Sequence, residues 1–453
     1  MKVHFIAIGG SAMHNLALAL KIKGFDVSGS DDEIFEPSKT RLADAGLLPP
    51  VMGWFPDKIT GDIDAVILGM HARNNNPELI RARKLGLKVF SYPEYLFEQT
   101  KEKIRAVVGG SHGKTTITSM VMHVLKTCGK KFDYMVGSQI EGFDTMVGLT
   151  NDASIAVFEG DEYLTSPIDL RPKFHLYKAN IGLVTGIAWD HVNVFPTFEG
   201  YIDQFRIFAE GIESGGTLIY CTEDKVLCEM VESSSIKAKK IGYRTHSYHT
   251  QGEKWALETA YGTVALKIFG SHNMQNIAGA KEICIQLGVS ELEFYDAISS
   301  FGGAAKRLQL LGKDKLVSYY LDFAHSPSKV LATMDAVRTQ FPKHNFVAVL
   351  ELHTFSSLSA GFLSNYNGTM NDADKAIVFF NPDAVRHKNL PELTADEVFK
   401  NFGRDDLVVL SDSEKIQNAI FQQYSSKTVV LLMSSGSFGG LNLPLLVAKS
   451  LSE

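Results

Sequence analysis

The chain has 453 residues, of which 45% are hydrophobic and 21% charged, and a formal net charge of −6. That length suggests two to four domains, and the mix is that of an ordinary globular protein able to bury cores without metal or disulfide staples. The acidic balance and the lack of a basic block argue against a nucleic-acid partner, and no apolar run approaches the ~20 residues needed to insert into a membrane.

The N-terminus enters a strand at once, over 3–8, and its apolar run is too short and too glycine-punctuated for a secretory signal. The pattern predicts a helix over 12–23 and strands over 26–28, 65–68 and 88–90. This βαβ alternation marks a nucleotide-binding type of α/β domain. A second region opens with a strand over 104–108, a glycine loop and a helix over 115–127. Strands follow over 154–159 and 182–186, and antiparallel pieces are expected at 217–220 and 255–269, where apolar and polar residues alternate. A third region carries strands over 316–321, 345–350, 375–379 and 428–433. The nearly continuous apolar strands of all three regions read as parallel sheets covered on both faces. Cys128, Cys221, Cys228 and Cys284 show no CxxC spacing and read as reduced thiols, so a cytoplasmic location is expected.

Between the strand over 106–108 and the helix from 115 lies Gly110-Ser111-His112-Gly113-Lys114-Thr115-Thr116. Glycines let the backbone turn tightly and aim N–H groups inward, and the helix N-terminus adds its dipole. Lys114 supplies a point charge to terminal phosphates and Thr115 a hydroxyl for Mg²⁺. Val108 stands where the first glycine of the full phosphate-loop pattern would be. ATP binding is the expectation; the reaction is not yet specified.

Ordered pieces elsewhere specify it. They are Ile8-Gly9-Gly10-Ser11-Ala12-Met13, the phosphate loop, Glu159-Gly160-Asp161-Glu162, Asp190-His191, Gly270-Ser271-His272-Asn273-Met274-Gln275-Asn276, Lys306-Arg307 and Asp322-Phe323-Ala324-His325-Ser326-Pro327. In this order and spacing the chain resembles the Mur ligases, ATP-dependent amide-forming enzymes of peptidoglycan assembly, from Val3 to about Leu446. The resemblance implies a three-domain α/β architecture. Residues 1–103 form a Rossmann-like domain for a UDP-sugar, 104–308 a phosphate-loop ATPase-like domain, and 309–453 a Rossmann-like domain that closes on ATP and binds the amine.

The same resemblance assigns roles. Lys114, Glu162 and His191 are the expected catalytic residues, and Thr115, Glu162 and His191 the expected Mg²⁺ ligands. A carboxylate suits that ion better than a histidine does. Asn273 and Asn276 are expected at the adenine, although both also fit a helix cap. Arg307, Asp322 and His325 are expected on the ATP phosphate and ribose side. Gly9, Gly10, Ser11, Ala12 and Met13 face the pyrophosphate of the sugar nucleotide, with Ser30 and Asp31 at its uracil or ribose. His71, Arg73 and Asn74 fit either further contacts or a solvated turn.

The implied partners are UDP-N-acetylmuramic acid and an amine, with the protein a monomer or homodimer. The ending Met433-Ser434-Ser435-Gly436-Ser437-Phe438-Gly439-Gly440 and the Tyr163 after Glu162 favour the peptide L-Ala-γ-D-Glu-meso-diaminopimelate over free L-alanine. Gly186, Ser326 and the arginine-free stretch Glu351-Leu352-His353-Thr354 depart from the family pattern and suggest altered substrate selection. A nucleotide-binding regulatory protein with lost catalysis is the alternative of another class; the retained Lys114, Glu162 and His191 argue against it. A dehydrogenase would explain the N-terminal region alone.

Overall fold

The computed structural model describes residues 1–70, 72–140, 142–166, 168–189, 194–420 and 426–452. It divides into two compact units, Met1–Thr245 with Gln275–Ile298, and His246–Met274 with Ser299–Glu453.

The first unit holds two sheets. In the first, β1 (Lys2–Ile6), α1 (Ser11–Ile22), β2 (Asp26–Ser30), α2 (Ser38–Asp44), β3 (Ala65–Leu68), α3 (Pro77–Lys84), β4 (Val89–Ser91) and α4 (Tyr92–Thr100) follow in order. The strands run parallel in the order β2-β1-β3-β4. Every residue of β3 is buried, as expected of a strand covered on both faces. The strand expected to reach residue 8 ends at Ile6, because Ala7 turns into the left-handed region at φ 68°. Ala7 N and Ile8 N then both donate to Ser30 O, at 2.9 and 3.1 Å. Ala7 therefore adopts the conformation a glycine would take without strain. Neighbours β2 and β3 flank β1, so a crevice opens beyond its C-terminal end, where Gly9 and Gly10 lie.

The second sheet starts with β5 (Ile104–Gly109) and α5 (Lys114–Thr127), then β6 (Phe132–Met135), β7 (Val147–Gly148) and β8 (Ile155–Glu159). A hairpin, β9 (Leu164–Ser166) and β10 (Asp169–Pro172), leads to α6 (Lys173–Leu176) and β11 (Ile181–Val184). The sheet is completed by α7 (Phe198–Glu210), β12 (Thr217–Cys221), α8 (Lys225–Ser233) and β13 (Lys239–Tyr243). Its order is β13-β12-β11-β5-β8-β6-β7, and only β7 runs antiparallel to its neighbour. The antiparallel reading of 217–220 is therefore corrected. The segment is an interior parallel strand between β11 and β13, with Thr217, Leu218 and Ile219 all buried, and covering helices rather than alternation set its exposure. Most of α9 (Ser271–Gln286) and α10 (Glu291–Ile298) pack onto this unit; His123 Nε2 on α5 lies 3.0 Å from Ala297 O on α10.

In the second unit, β14 (Tyr248–Gln251), β15 (Lys254–Thr259) and β16 (Gly262–Leu266) form an antiparallel meander, as expected for 255–269. Gln340 ties it down, accepting from Trp255 Nε1 at 2.5 Å and donating to Glu253 O at 2.9 Å. The main sheet comprises β17 (Gln309–Lys313), β18 (Val317–Asp322), β19 (Asn345–Leu352), β20 (Lys375–Phe380), β21 (Val408–Leu410) and β22 (Thr428–Met433). Its order is β17-β18-β22-β19-β20-β21, parallel except for β17. Helix α11 (Pro327–Gln340) follows β18. The core of this unit is built from Tyr319, Val349, Ile377, Val430 and Leu432, packed with Ile416 and Leu446.

Candidate active site

Strand β5 delivers the phosphate loop to the middle of its sheet, between β8 and β11, at the end where parallel sheets bind ligands. Gly110 has φ 123°, and a Cβ there would overlap Thr185 Oγ1. Gly113, the residue before α5, has φ 74°, and a Cβ there would overlap the Asn276 carboxamide. The loop is pinned by Thr185 Oγ1 donating to His112 O at 2.5 Å and Ser111 N donating to Gly186 O at 3.0 Å.

Lys114 Nζ donates to Gly110 O at 2.6 Å and to Glu162 Oε2 at 2.7 Å. Tyr201 OH donates to Glu162 Oε1 at 3.2 Å and lies 3.1 Å from Ser111 Oγ. Thr115 Oγ1 donates to Glu159 Oε1 at 2.8 Å, and Gly137 N donates to Glu159 Oε2 at 2.7 Å. Burial disfavours charge on Lys114, but Glu162, Asp161 and Glu159 outweigh it and raise the ammonium pKa above its ordinary value. Burial likewise opposes ionisation of Asp161; Lys173, 2.6 Å away, and Lys114 outweigh it and hold that carboxyl at about 2. The cluster is thus a lysine flanked by three carboxyl groups at the mouth of the glycine loop.

Glu159 and Tyr201 had no role in the sequence reading. Glu159 was legible in principle, since it ends the apolar strand adjacent to β5; Tyr201 comes from α7 and no local signal marks it. Asn276 sits beside the loop at Gly113. His191, Asp190 and His71 lie outside the described residues. Among the described residues, no three or more histidines, cysteines or carboxylates cluster as a metal site. The oxygens of Thr115, Glu159 and Glu162 are nevertheless the hard donors that Mg²⁺ prefers.

Asp322, Arg307, His325 and Asn273, for which ATP contacts were expected, belong to the second unit. Asp322, buried at the end of β18, accepts from Leu308 N at 2.8 Å and Ala324 N at 2.7 Å, so it holds the turn carrying Arg307. That turn is strained, with Lys306 at φ 55° and Leu308 at φ 47°. The Arg307 guanidinium lies 4.8 Å from the centre of the Phe323 ring. His325 Nδ1 is 2.9 Å from Phe323 O. Asn273, in the first turn of α9, donates to Phe269 O at 2.7 Å, a backbone-fixing role for its amide.

A cleft of about 810 Å³ opens beyond β1, lined by Gly9, Gly10, Ser11 and Asp31 and by His14, Arg41 and Asp144 among others. Asp31 Oδ2 accepts from Gly9 N at 2.7 Å, and burial pushes this carboxyl up to about 6. Ser30 and Met13 are buried, and Ala12 is exposed.

Three family models match successive stretches of the chain. Residues 2–103 match "Mur ligase family, catalytic domain", 108–284 match "Mur ligase middle domain", and 306–436 match "Mur ligase, glutamate ligase domain". A UDP-N-acetylmuramate–L-alanine ligase from Arthrobacter sp. (strain FB24) is 30% identical over 83% of this chain and 80% of its own length. The chain belongs to the Mur ligase family. Mur ligases are ATP-dependent and form amide bonds in peptidoglycan synthesis, and this chain is such a ligase. Its fold is similar to the murein peptide ligase of Psychrobacter arcticus 273-4 (TM-score 0.68, 22% identity, 99% of both chains). It is also similar to the UDP-N-acetylmuramate–alanine ligase of Thermotoga maritima (TM-score 0.73, 21% identity, 100% of this chain and 98% of that one). No helix among the described residues is long and apolar enough to cross a membrane.

Two departures of this Mur ligase from the family pattern have local explanations. At Gly186, φ is 155° and a Cβ would approach Asp224 Oδ2 to 2.7 Å; that carboxylate caps α8 and accepts from Ile187 N at 3.0 Å. Asp224 thus fills the space an asparagine side chain would need. At Gly436, a Cβ would meet His353 and Glu351, so the glycine makes room for the histidine that stands in the arginine-free stretch. Ser326 is the residue before α11, and nothing else in the structure explains it.

Proposed function

We propose that this Mur ligase joins the carboxyl group of UDP-N-acetylmuramic acid to the amine of a peptide of the L-Ala-γ-D-Glu-meso-diaminopimelate kind. The observation that carries it is the phosphate loop with Lys114 and Thr115 held by Glu162 and Glu159. Three domains, 1–103, 104–308 and 309–453, would supply the sugar nucleotide, ATP and amine sites in turn.

A carboxylate oxygen of the muramic acid attacks the γ-phosphorus, the bond to the β-phosphate bridging oxygen breaks, and ADP leaves with that electron pair. The amine then attacks the acyl carbon, inorganic phosphate departs, and the nitrogen loses a proton. Lys114 neutralises the transferring phosphoryl group, which is most of what such transfer needs. Tyr201 and Ser111 orient Glu162 and the loop, and the helix dipole of α5 faces the phosphates. Thr115, Glu159 and Glu162, with His191, would hold Mg²⁺, which neutralises phosphate charge when bound. Asn276 flanks Gly113 and Asn273 opens the same helix, positions that suit the adenine side. Arg307, Asp322 and His325 are the residues we assign to the phosphate and ribose side of ATP. Gly9, Gly10, Ser11, Ala12, Met13, Ser30, Asp31 and His71 serve the UDP-sugar.

The peptide reading is supported by the Met433–Gly440 ending and by Tyr163 after Glu162. The alternative, free L-alanine, is supported by the curated relatives, which are named for that substrate. Phosphate release from ATP with UDP-N-acetylmuramate distinguishes them. Release with the tripeptide but not L-alanine supports the first reading, release with L-alanine the second, and no release with either amine sinks both.

A further inference from the structure

His14, Asn15 and Arg41 carry no role in the reading so far, yet they form a connected polar network at the wall of the 810 Å³ cleft. His14 and Asn15 are buried on α1, at 2% and 0% exposure. His14 Nδ1 lies 3.0 Å from both Gly10 O and Ser38 Oγ, and its Nε2 is 3.0 Å from Asn15 Nδ2 and 3.4 Å from Arg41 Nη1. Burial, and then the Arg41 charge, lower its pKa, so it is a neutral imidazole. With Nδ1–H donating to Gly10 O, its Nε2 is an acceptor for Asn15 and Arg41.

The network crosses to another segment. Arg41 Nη1 donates to Asn15 Oδ1 at 3.2 Å and Arg41 Nη2 to Asp144 O at 2.6 Å. Met146 N donates to the same Asn15 Oδ1 at 3.0 Å. Arg41 thus links α1 and α2, which follow β1 and β2 in turn, to the segment before β7 in the ATP-site sheet. Asp144 and Met146 line the cleft together with Arg41. Among the described lining residues Arg41 is the one permanent cation, in a lining that also holds Asp31, Asp32, Glu33, Glu36 and Asp144. An anion entering this cleft meets the α1 N-terminus and this one guanidinium against five carboxylates, so the guanidinium carries disproportionate weight.

We propose that Arg41 binds a phosphate of the sugar nucleotide's diphosphate and, through Asn15 and Asp144, holds residues 142–147 of the ATP-site sheet more firmly when that substrate is bound. Arg41 is then both a binding residue and a positioning residue, and a binding signal passes from the sugar-nucleotide cleft to the sheet that holds ATP. This inference rests on the UDP-sugar reading of the cleft. The carboxylates are left for hydroxyl groups of the sugars, which acidic side chains at the end of β2 accept well.

The test uses the full chain with UDP and uridine as probes. For the unaltered protein, UDP should bind more tightly than uridine and should slow amide hydrogen exchange across 142–147. Arg41→Ala should weaken UDP by about tenfold to a hundredfold, the range for a lost charge-assisted hydrogen bond. It should leave uridine and ATP binding unchanged and abolish the exchange protection. Arg41→Lys should recover part of the UDP affinity without the protection, because an ammonium cannot bridge as the planar fork does. Equal losses for UDP and uridine would mark a merely structural arginine and overturn the proposal, as would unchanged UDP affinity in Arg41→Ala. If the unaltered protein binds neither probe, the UDP-sugar reading falls and takes the proposal with it. If it binds both while Arg41→Ala is silent, only the arginine's role falls.

Discussion

Lys114 Nζ is bonded at 2.7 Å to Glu162 Oε2 and at 2.6 Å to Gly110 O, so the lysine is tied both to its own loop and to the turn after the neighbouring strand. Its side chain is 16% exposed and that of Glu162 2%. On the proposed mechanism, nucleotide phosphates would replace at least one of these bonds and leave Glu162 free to help hold Mg²⁺.

Lys114→Met should reduce ATP-dependent phosphate release by more than a hundredfold. It also leaves Glu162 buried without its cation, so stability should fall by about 1–3 kcal/mol rather than stay unchanged. Steady-state turnover and denaturant unfolding check both parts, and near-normal turnover would remove Lys114 from the mechanism.

Glu159 is tested through the metal. Glu159→Gln keeps the size of the side chain but loses the charge facing Thr115 and Gly137. Turnover should fall at least about tenfold at limiting Mg²⁺ and recover in part at high Mg²⁺, since one anionic donor is lost. A magnesium titration of the rate reads this directly; an unchanged half-saturation value counts against a metal role.

Two glycines separate steric necessity from conformational preference. Gly110→Ala combines φ 123° with overlap on Thr185, so ATP binding should be lost and the melting temperature should drop. Gly129→Ala has φ 67° with open space around it and should cost about 1 kcal/mol while activity persists. Thermal melts and ATP titration of the two variants make the comparison.

Asp31 gives a pH dependence with a definite sign. Its native carboxyl is raised by burial to about 6 from an ordinary 3.8, so the native state holds this proton more tightly than the unfolded chain. Its contribution to stability therefore falls as pH rises from 3.8 to about 6 and is level above that window. Asp31→Asn should be more stable relative to the unaltered protein at pH 7 than at pH 4.5. Urea unfolding at the two pH values checks it, and an equal difference at both would show that Asp31 does not titrate there.

Much of this was readable before the fold. The apolar runs at 104–108, 155–158 and 428–433 announced buried parallel strands, because helices on both faces leave no polar side. The glycine spacing of 110–113 announced a phosphate loop, because only glycine takes those turns without strain. The run at 217–220 misled for the complementary reason: a threonine and a tyrosine in a short strand look like alternation, while covering helices decide burial.

By itself the amino-acid sequence determined where Lys114 and Thr115 stand, at the junction of an apolar strand and a helix. Local backbone physics suffices for that, since strand, glycine turn and helix start are all short-range. Only the tertiary structure decided what faces them. Glu159, Glu162 and Tyr201 reach the loop from a neighbouring strand, the turn after it and α7, and strand order sets those distances. The contact of Arg41 with Asp144 spans more than a hundred residues, and no local pattern in either segment encodes it.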